Sequence, residues 1–279
     1  MMTSHILLIN CPDESGLVYK ITNVIYRHKL NIISNGEFVE RNFNHFFMRT
    51  EFSGDFNRES LIEDLHATLP NSVEIKLSDN RKKDIVILAT KEHHCLGDLL
   101  IRHAFNELKA NIRCVISNHQ VLEELTQKFS VPFYFVAHEG KDRRDHENEI
   151  SKIIEGYNPD FLVLAKYMRI LSFEMVTKFT NRIVNIHHSF LPAFIGANPY
   201  AQAYERGVKI IGATAHFVNN SLDEGPIIAQ NIIPVTHSQS AREMAQAGRD
   251  VEKIVLANAL QLVFSERLFV YRNKTIIFD

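Results

Sequence analysis

Tryptophan is missing from this 279-residue chain, and cysteine nearly so, with Cys11, Cys95 and Cys114 as the whole complement. An odd, scattered set without Cys-x-x-Cys spacing argues against a disulfide framework and a thiolate zinc site, and fits a reducing, cytoplasmic setting. Charge of one sign is also lacking. Thirty-one basic against 33 acidic residues leave a net charge of −2 with no basic tail, so nothing electrostatic points to nucleic acid. Long apolar runs are absent too, and the N-terminal one, Ile6 to Ile9, is too short for a secretion signal or a membrane span. Glycine is scarce where a phosphate would need it. The stretch 90–97 holds Gly97 alone, whereas a phosphate-binding turn needs clustered glycines that let the backbone close on phosphate oxygens. Fourteen histidines keep a metal in view. Yet His93 and His94, like His187 and His188, are adjacent pairs that would diverge on a strand, and no His-Glu-x-x-His or His-x-His set is completed, so no metal is expected.

What is present is an ordinary α/β composition, 45% hydrophobic and 23% charged, long enough for one large domain or two smaller ones. Residues 5–77 read as β-α-β-β-α-β. Ile6 to Ile9 is a strand, and 11–16 supplies turn and capping residues for a helix with apolar positions at Leu17, Ile21, Val24 and Ile25. Strands over 31–40 and 45–52 flank a turn, and a helix over 59–68 and a strand over 72–77 complete a ferredoxin-like unit with helices on one face of an antiparallel sheet. The polar stretch 78–84 separates it from the rest, giving domains at 1–79 and 84–279. Beyond it, Ile85 to Ala89 and Phe161 to Ala165 are continuous apolar runs, as strands buried on both faces require. Helices over 96–109 and 144–156, and short strands over 112–117 and 133–136, complete an open, mostly parallel, doubly wound α/β sheet. Its ligand crevice is expected at the carboxyl ends of the strands. A helix over 251–264 and a hairpin over 269–278 end the chain.

One stretch concentrates the chemistry. The apolar run 182–186 delivers Asn185, His187, His188 and Ser189. A second run, 210–218, carries His216 and leads to Asp223 ahead of Gly225 and Pro226, a turn signal. An amide, an imidazole and a carboxylate thus meet at strand ends. Asn-Ile-His-x-Ser-x-Leu-Pro at 185–192, with His-Phe-Val and Leu-Asp-x-Gly-Pro at 216–226, resembles the formyltetrahydrofolate-dependent formyltransferase superfamily. The likeness extends through 165–171 and 91–98 and covers nearly the whole chain; the Cys-Pro-Asp-x-x-Gly-Leu start resembles an ACT domain.

That resemblance implies an α/β formyltransferase domain behind an N-terminal ferredoxin-like ACT domain, and hydrolysis of 10-formyltetrahydrofolate with water as acceptor. The folate is then the substrate, with no further cofactor. Removing a formyl group from an amide-like nitrogen passes through an oxyanion that Asn185 and His187 can stabilise, while Asp223 orients and deprotonates water. By resemblance, these three match the family's catalytic positions. Leu164, Met168, Arg169, Leu171, Val176 and His216 are the expected folate contacts, with Arg169 facing the glutamate tail. Plainer readings stand beside these: Asn185 bonded only to backbone, core histidines at 187 and 188, a turn aspartate at 223, a packing role for His216 and a surface arginine at 169. Ser189, with no base to activate it, is read as a turn residue. Asp13 and Gly16 form the candidate amino-acid effector site, the plainer alternative being that Asp13 and Ser15 only cap the helix. An ACT-type unit implies a homo-oligomer. The alternatives are formyl transfer to an amine, against which the single-glycine loop speaks, and a non-catalytic folate or amino-acid regulator.

Overall fold

The computed structural model describes residues 4–193 and 199–278. The chain divides into two compact units, Met1–Arg81 with Glu266–Phe269 and Ile277–Asp279, and Lys82–Ser265 with Val270–Ile276. The last residues therefore depart from a division at one point near residue 80.

The first unit runs β1 (Ser4–Pro12), α1 (Leu17–Arg27), β2 (Asn31–Glu40), β3 (His45–Ser53), α2 (Arg58–Thr68) and β4 (Glu74–Asp79). Its antiparallel sheet has the order β2-β3-β1-β4. Alternate residues of β1 (Leu7, Ile9, Cys11) and β3 (Phe46, Met48, Phe52) share one core with Leu17, Ile21, Val24 and Ile25 of α1 and Leu61 and Leu65 of α2. The period of two in the strands and of 3.6 in the helices places these residues on facing surfaces. The opposite sheet face is covered in part by the chain's end: the Phe47 ring meets Phe269 at 5.3 Å between centroids, and Arg49 donates to the Glu266 carbonyl. The expected capping of α1 by Asp13 or Ser15 does not occur. Gly16 is the N-cap, at φ +87° and without a side-chain hydrogen bond, because β1 continues through Pro12.

The second unit runs β5 (Lys83–Ala89), α3 (His94–Ala104), β6 (Ala110–Ser117), α4 (Glu123–Gln127), β7 (Phe133–Phe135), α5 (Arg143–Tyr157), β8 (Phe161–Ala165), α6 (Phe173–Lys178), β9 (Ile183–His187), α7 (Pro199–Arg206), β10 (Ile210–Phe217), β11 (Ile227–Pro234) and α8 (Ala241–Phe264); the residues of the terminal hairpin, β12 (Leu268–Tyr271) and β13 (Lys274–Ile277), are divided between the two units. The sheet order is β11-β10-β9-β8-β5-β6-β7. Strands β9, β8, β5, β6 and β7 are parallel, and β10 and β11 are antiparallel additions at one edge. The strand order reverses between β5 and β8, which is where the crevice of such a sheet opens. Helix α3 stops at Ala104, five residues short of its expected end, because the chain turns through Asn106 at φ +59°. Helix α8 begins ten residues before its expected start, at a capping box in which Ser240 and Glu243 bond reciprocally. Among the described residues no helix is long and apolar enough to cross a membrane.

Candidate active site

Strand β9 presents Asn185 and His187 on one face, two residues apart. Its register places Leu164 of β8 on one side of Asn185 and His216 of β10 on the other, so three strands contribute to one row. His216 is the penultimate residue of β10, so it reaches the row from near that strand's carboxyl end, and the two strand ends converge as expected. The order of its hydrogen bonds follows from what each atom can do. His216 Nδ1 lies 2.9 Å from the Phe217 carbonyl, which only accepts, so that nitrogen carries the proton. Nε2 is then an acceptor, and Asn185 Nδ2 donates to it at 3.2 Å, which fixes the amide orientation. Burial pushes the His216 pKa down, in keeping with a neutral ring.

Asp223 is carried back to this row by the loop between β10 and β11. Its backbone is left-handed, φ +56°, a conformation that aspartate tolerates better than most residues. Gly225 permits the close return: a Cβ there would lie 1.7 Å from the Phe217 carbonyl oxygen. Asp223 Oδ1 stands 3.3 Å from His187 Nδ1 and 3.8 Å from His216 Nε2. The His187 hydrogen bond holds the Asp223 carboxyl below its usual range despite burial, so it is ionised at neutral pH. His187 Nε2 is buried and has no hydrogen-bond partner among the described residues. His188 lies beside it, and burial pushes its pKa down to about 4.

These groups open into a cleft of about 480 Å³. Asn185, His187, Asp223, Leu164, Met168, Arg169, Leu171, Val176 and His216 all line it. Arg143, Lys166, Ile170, Phe173 and Leu222 line it as well and were not singled out in the sequence. A charged residue directly behind the buried run of β8 was the available signal for Lys166. The wall formed by 166–172 is held by three hydrogen bonds: Met168 N–H donates to Thr90 Oγ1 at 3.0 Å, Ser172 N–H to the Glu147 carboxylate at 2.9 Å, and Arg143 to the Leu171 carbonyl. Ser189 donates to the Ala193 carbonyl at 2.8 Å, the turn role expected of it. Residues 194–198, part of the motif in the sequence, lie outside the described residues. Among the described residues one cluster has metal-ligand character, His94, Cys95 and Glu252, with ligand atoms within 4.8 Å of one another. Its chemistry does not fit a metal: burial pushes the Cys95 thiol up, and the Glu252 carboxylate already accepts from His94 and Tyr200, with the Lys166 ammonium 3.2 Å away.

Residues 83–260 match the formyl transferase family. A Haemophilus influenzae protein named formyltetrahydrofolate deformylase is 54% identical over 277 residues, 99% of this chain and 100% of the relative. This chain belongs to the formyltetrahydrofolate deformylase family. The Bacillus subtilis deformylase is 40% identical over 98% of this chain and 93% of its own length. The crystal structure of the Pseudomonas syringae deformylase superposes with a TM-score of 0.96 at 39% identity, covering 100% of this chain and 95% of the other. Family membership thus extends over both units, beyond the transferase domain alone.

Proposed function

We infer that this chain hydrolyses 10-formyltetrahydrofolate to formate and tetrahydrofolate, with water as the formyl acceptor. The observation that carries this is the pairing of His187 with an ionised Asp223 in an apolar-walled cleft, with the second imidazole nitrogen buried and unpartnered among the described residues. The pterin lies between Leu164, Leu171 and Val176, and Arg169 faces the glutamate tail. Asp223 orients the water and takes its proton as the new C–O bond makes it acidic. The oxyanion is met by the Asn185 amide hydrogen not used on His216 and by His187 protonated at Nε2. As the C–N bond breaks, His187 Nε2 delivers its proton to the folate nitrogen. Formic acid loses its own proton to solvent, and exchange with solvent restores Asp223 and His187.

The βαββαβ order of the first unit supports reading it as an ACT-type domain that pairs with another copy of the chain. The start of α1, at Gly16 beside Asp13, has no side-chain cap, and space is open around the Gly16 Cα. A small amino acid held by its carboxylate at that helix start is the effector we assign. Calorimetry with glycine and with methionine tests it, and no heat from either at millimolar concentration removes the effector site.

The reaction itself is tested by Asp223→Asn. The expected result is a fall in formate release of about 10²- to 10⁴-fold with folate binding retained. Full activity in that variant, or turnover only when an amine is supplied, would overturn the hydrolytic assignment.

A further inference from the structure

A second cavity, about 420 Å³, adjoins the catalytic cleft. Lys166, Met168 and His188 line both, so the two spaces meet at the end of β8. Folate fills the first, and the mechanism above makes no use of the second.

The inner wall of this cavity is a fixed buried network. Glu252, 1% exposed on α8, accepts from His94 Nε2 at 2.8 Å and from the Tyr200 hydroxyl at 2.7 Å, and pairs with Lys166 Nζ at 3.2 Å. Burial alone would push the Glu252 carboxyl up, but His94, Lys166 and Tyr200 together hold it down to about 2. Tyr200 is itself fitted against the helix, since a Cβ at Gly248 would lie 2.0 Å from its hydroxyl. Lys166 is 7% exposed, and its backbone is left-handed at φ +61°, a strained conformation for lysine. An ammonium carries three N–H groups, and Glu252 is its one ion-pair partner among the described residues. His94 Nδ1 is buried, has no hydrogen-bond partner among the described residues, and lies 3.7 Å from the Glu92 carboxylate. Toward solvent the cavity is walled by Arg242 and Arg249, with Glu92 paired to Arg249 at 3.2 Å. A strained, buried cation at the junction and two arginines on the cavity wall suit a small anion. The reaction makes one beside them.

We propose that the second cavity is a small-carboxylate site through which formate leaves, with Lys166 receiving the anion from the catalytic cleft. This rests on the hydrolytic reading. It separates the routes of the two products: formate departs past Lys166 toward Arg242 while tetrahydrofolate still occupies the cleft. Glu252 is a positioning residue, which keeps the Lys166 amine at the junction.

Initial rates of tetrahydrofolate formation by the full-length chain, measured across a matrix of 10-formyltetrahydrofolate and sodium formate with sodium chloride as ionic-strength control, test the site. The expected inhibition by formate is noncompetitive with the folate substrate, because the two occupy different spaces. Lys166→Gln is expected to raise the formate inhibition constant about tenfold or more, as loss of a charge-assisted contact implies, and Lys166→Arg to restore most of it. Ala245→Glu adds a carboxylate to the cavity wall on α8 without touching Lys166, and is expected to raise the same constant; it decides the matter should Lys166→Gln not fold. Competition with folate, inhibition no stronger than that by chloride, or an unchanged constant in Ala245→Glu would each overturn the proposal. Failure to release formate without an amine would instead sink the hydrolytic reading itself.

Discussion

Asp223 concentrates most of the site's chemistry in one carboxylate, which accepts from His187, faces His216 and rests on a left-handed backbone. Burial pushes the pKa of two histidines around it, His188 and His216, down, and this has a pH consequence. Because the His188 pKa falls to about 4 on folding, the unfolded chain binds the extra proton first, so stability contributed by the neutral ring is lost as pH drops from about 6.5 toward 4. The loss for this half-buried group amounts to about 2–3 kcal/mol. Urea unfolding at pH 7 and pH 4.5 should show a smaller acid destabilisation in His188→Gln than in the parent, and equal losses would contradict this. At this scale the sequence was largely legible: a polar triad in a distinctive spacing directly behind an apolar run marks the cleft. The hidden residues were those whose role depends on a distant partner. Nothing local in Lys166 or Glu252 shows that they meet across 86 positions of chain. Arg143 and Glu147 likewise support the 166–172 wall only once α5 has packed beside β8.

Among the elements, the buried parallel strands were readable because a short, continuous apolar run rich in branched residues suits a strand covered on both faces and little else. The antiparallel edge was not. Strand β11 mixes exposed and buried positions, and the direction of β10 is decided by pairing with β9, which no local signal records. The early turns of α8 carry few large apolar residues, so periodicity alone placed its start too late, whereas the Ser240 and Glu243 capping box was available in the sequence. Ser240→Ala should cost about 1 kcal/mol in denaturant unfolding, with the slope unchanged. Gly225→Ala is a stricter test of the loop that returns Asp223. With its Cβ at 1.7 Å from the Phe217 carbonyl oxygen, the loop must move, and kcat is expected to fall by more than the apparent folate affinity. Wild-type kcat in Gly225→Ala would mean that the loop tolerates displacement and does not set the Asp223 position.

For the molecule as a whole, the two units were foreseeable from the polar stretch near residue 80, but not the division of the C-terminus. Glu266–Phe269 and Ile277–Asp279 join the first unit because Phe47, fully buried, needs Phe269 against its ring. Phe269→Ala should therefore destabilise the first unit by about 3 kcal/mol and speed amide exchange in β2 and β3; exchange unchanged there would deny that packing role. The function of the whole chain turns on one claim above the others, that water is the acceptor of the formyl group. The direct measurement is turnover of 10-formyltetrahydrofolate in ¹⁸O-water with no amine present. Formate carrying one ¹⁸O atom, formed by the parent and lost in Asp223→Asn, is the predicted result. Formate without the label, or release that persists undiminished in that variant, would contradict it.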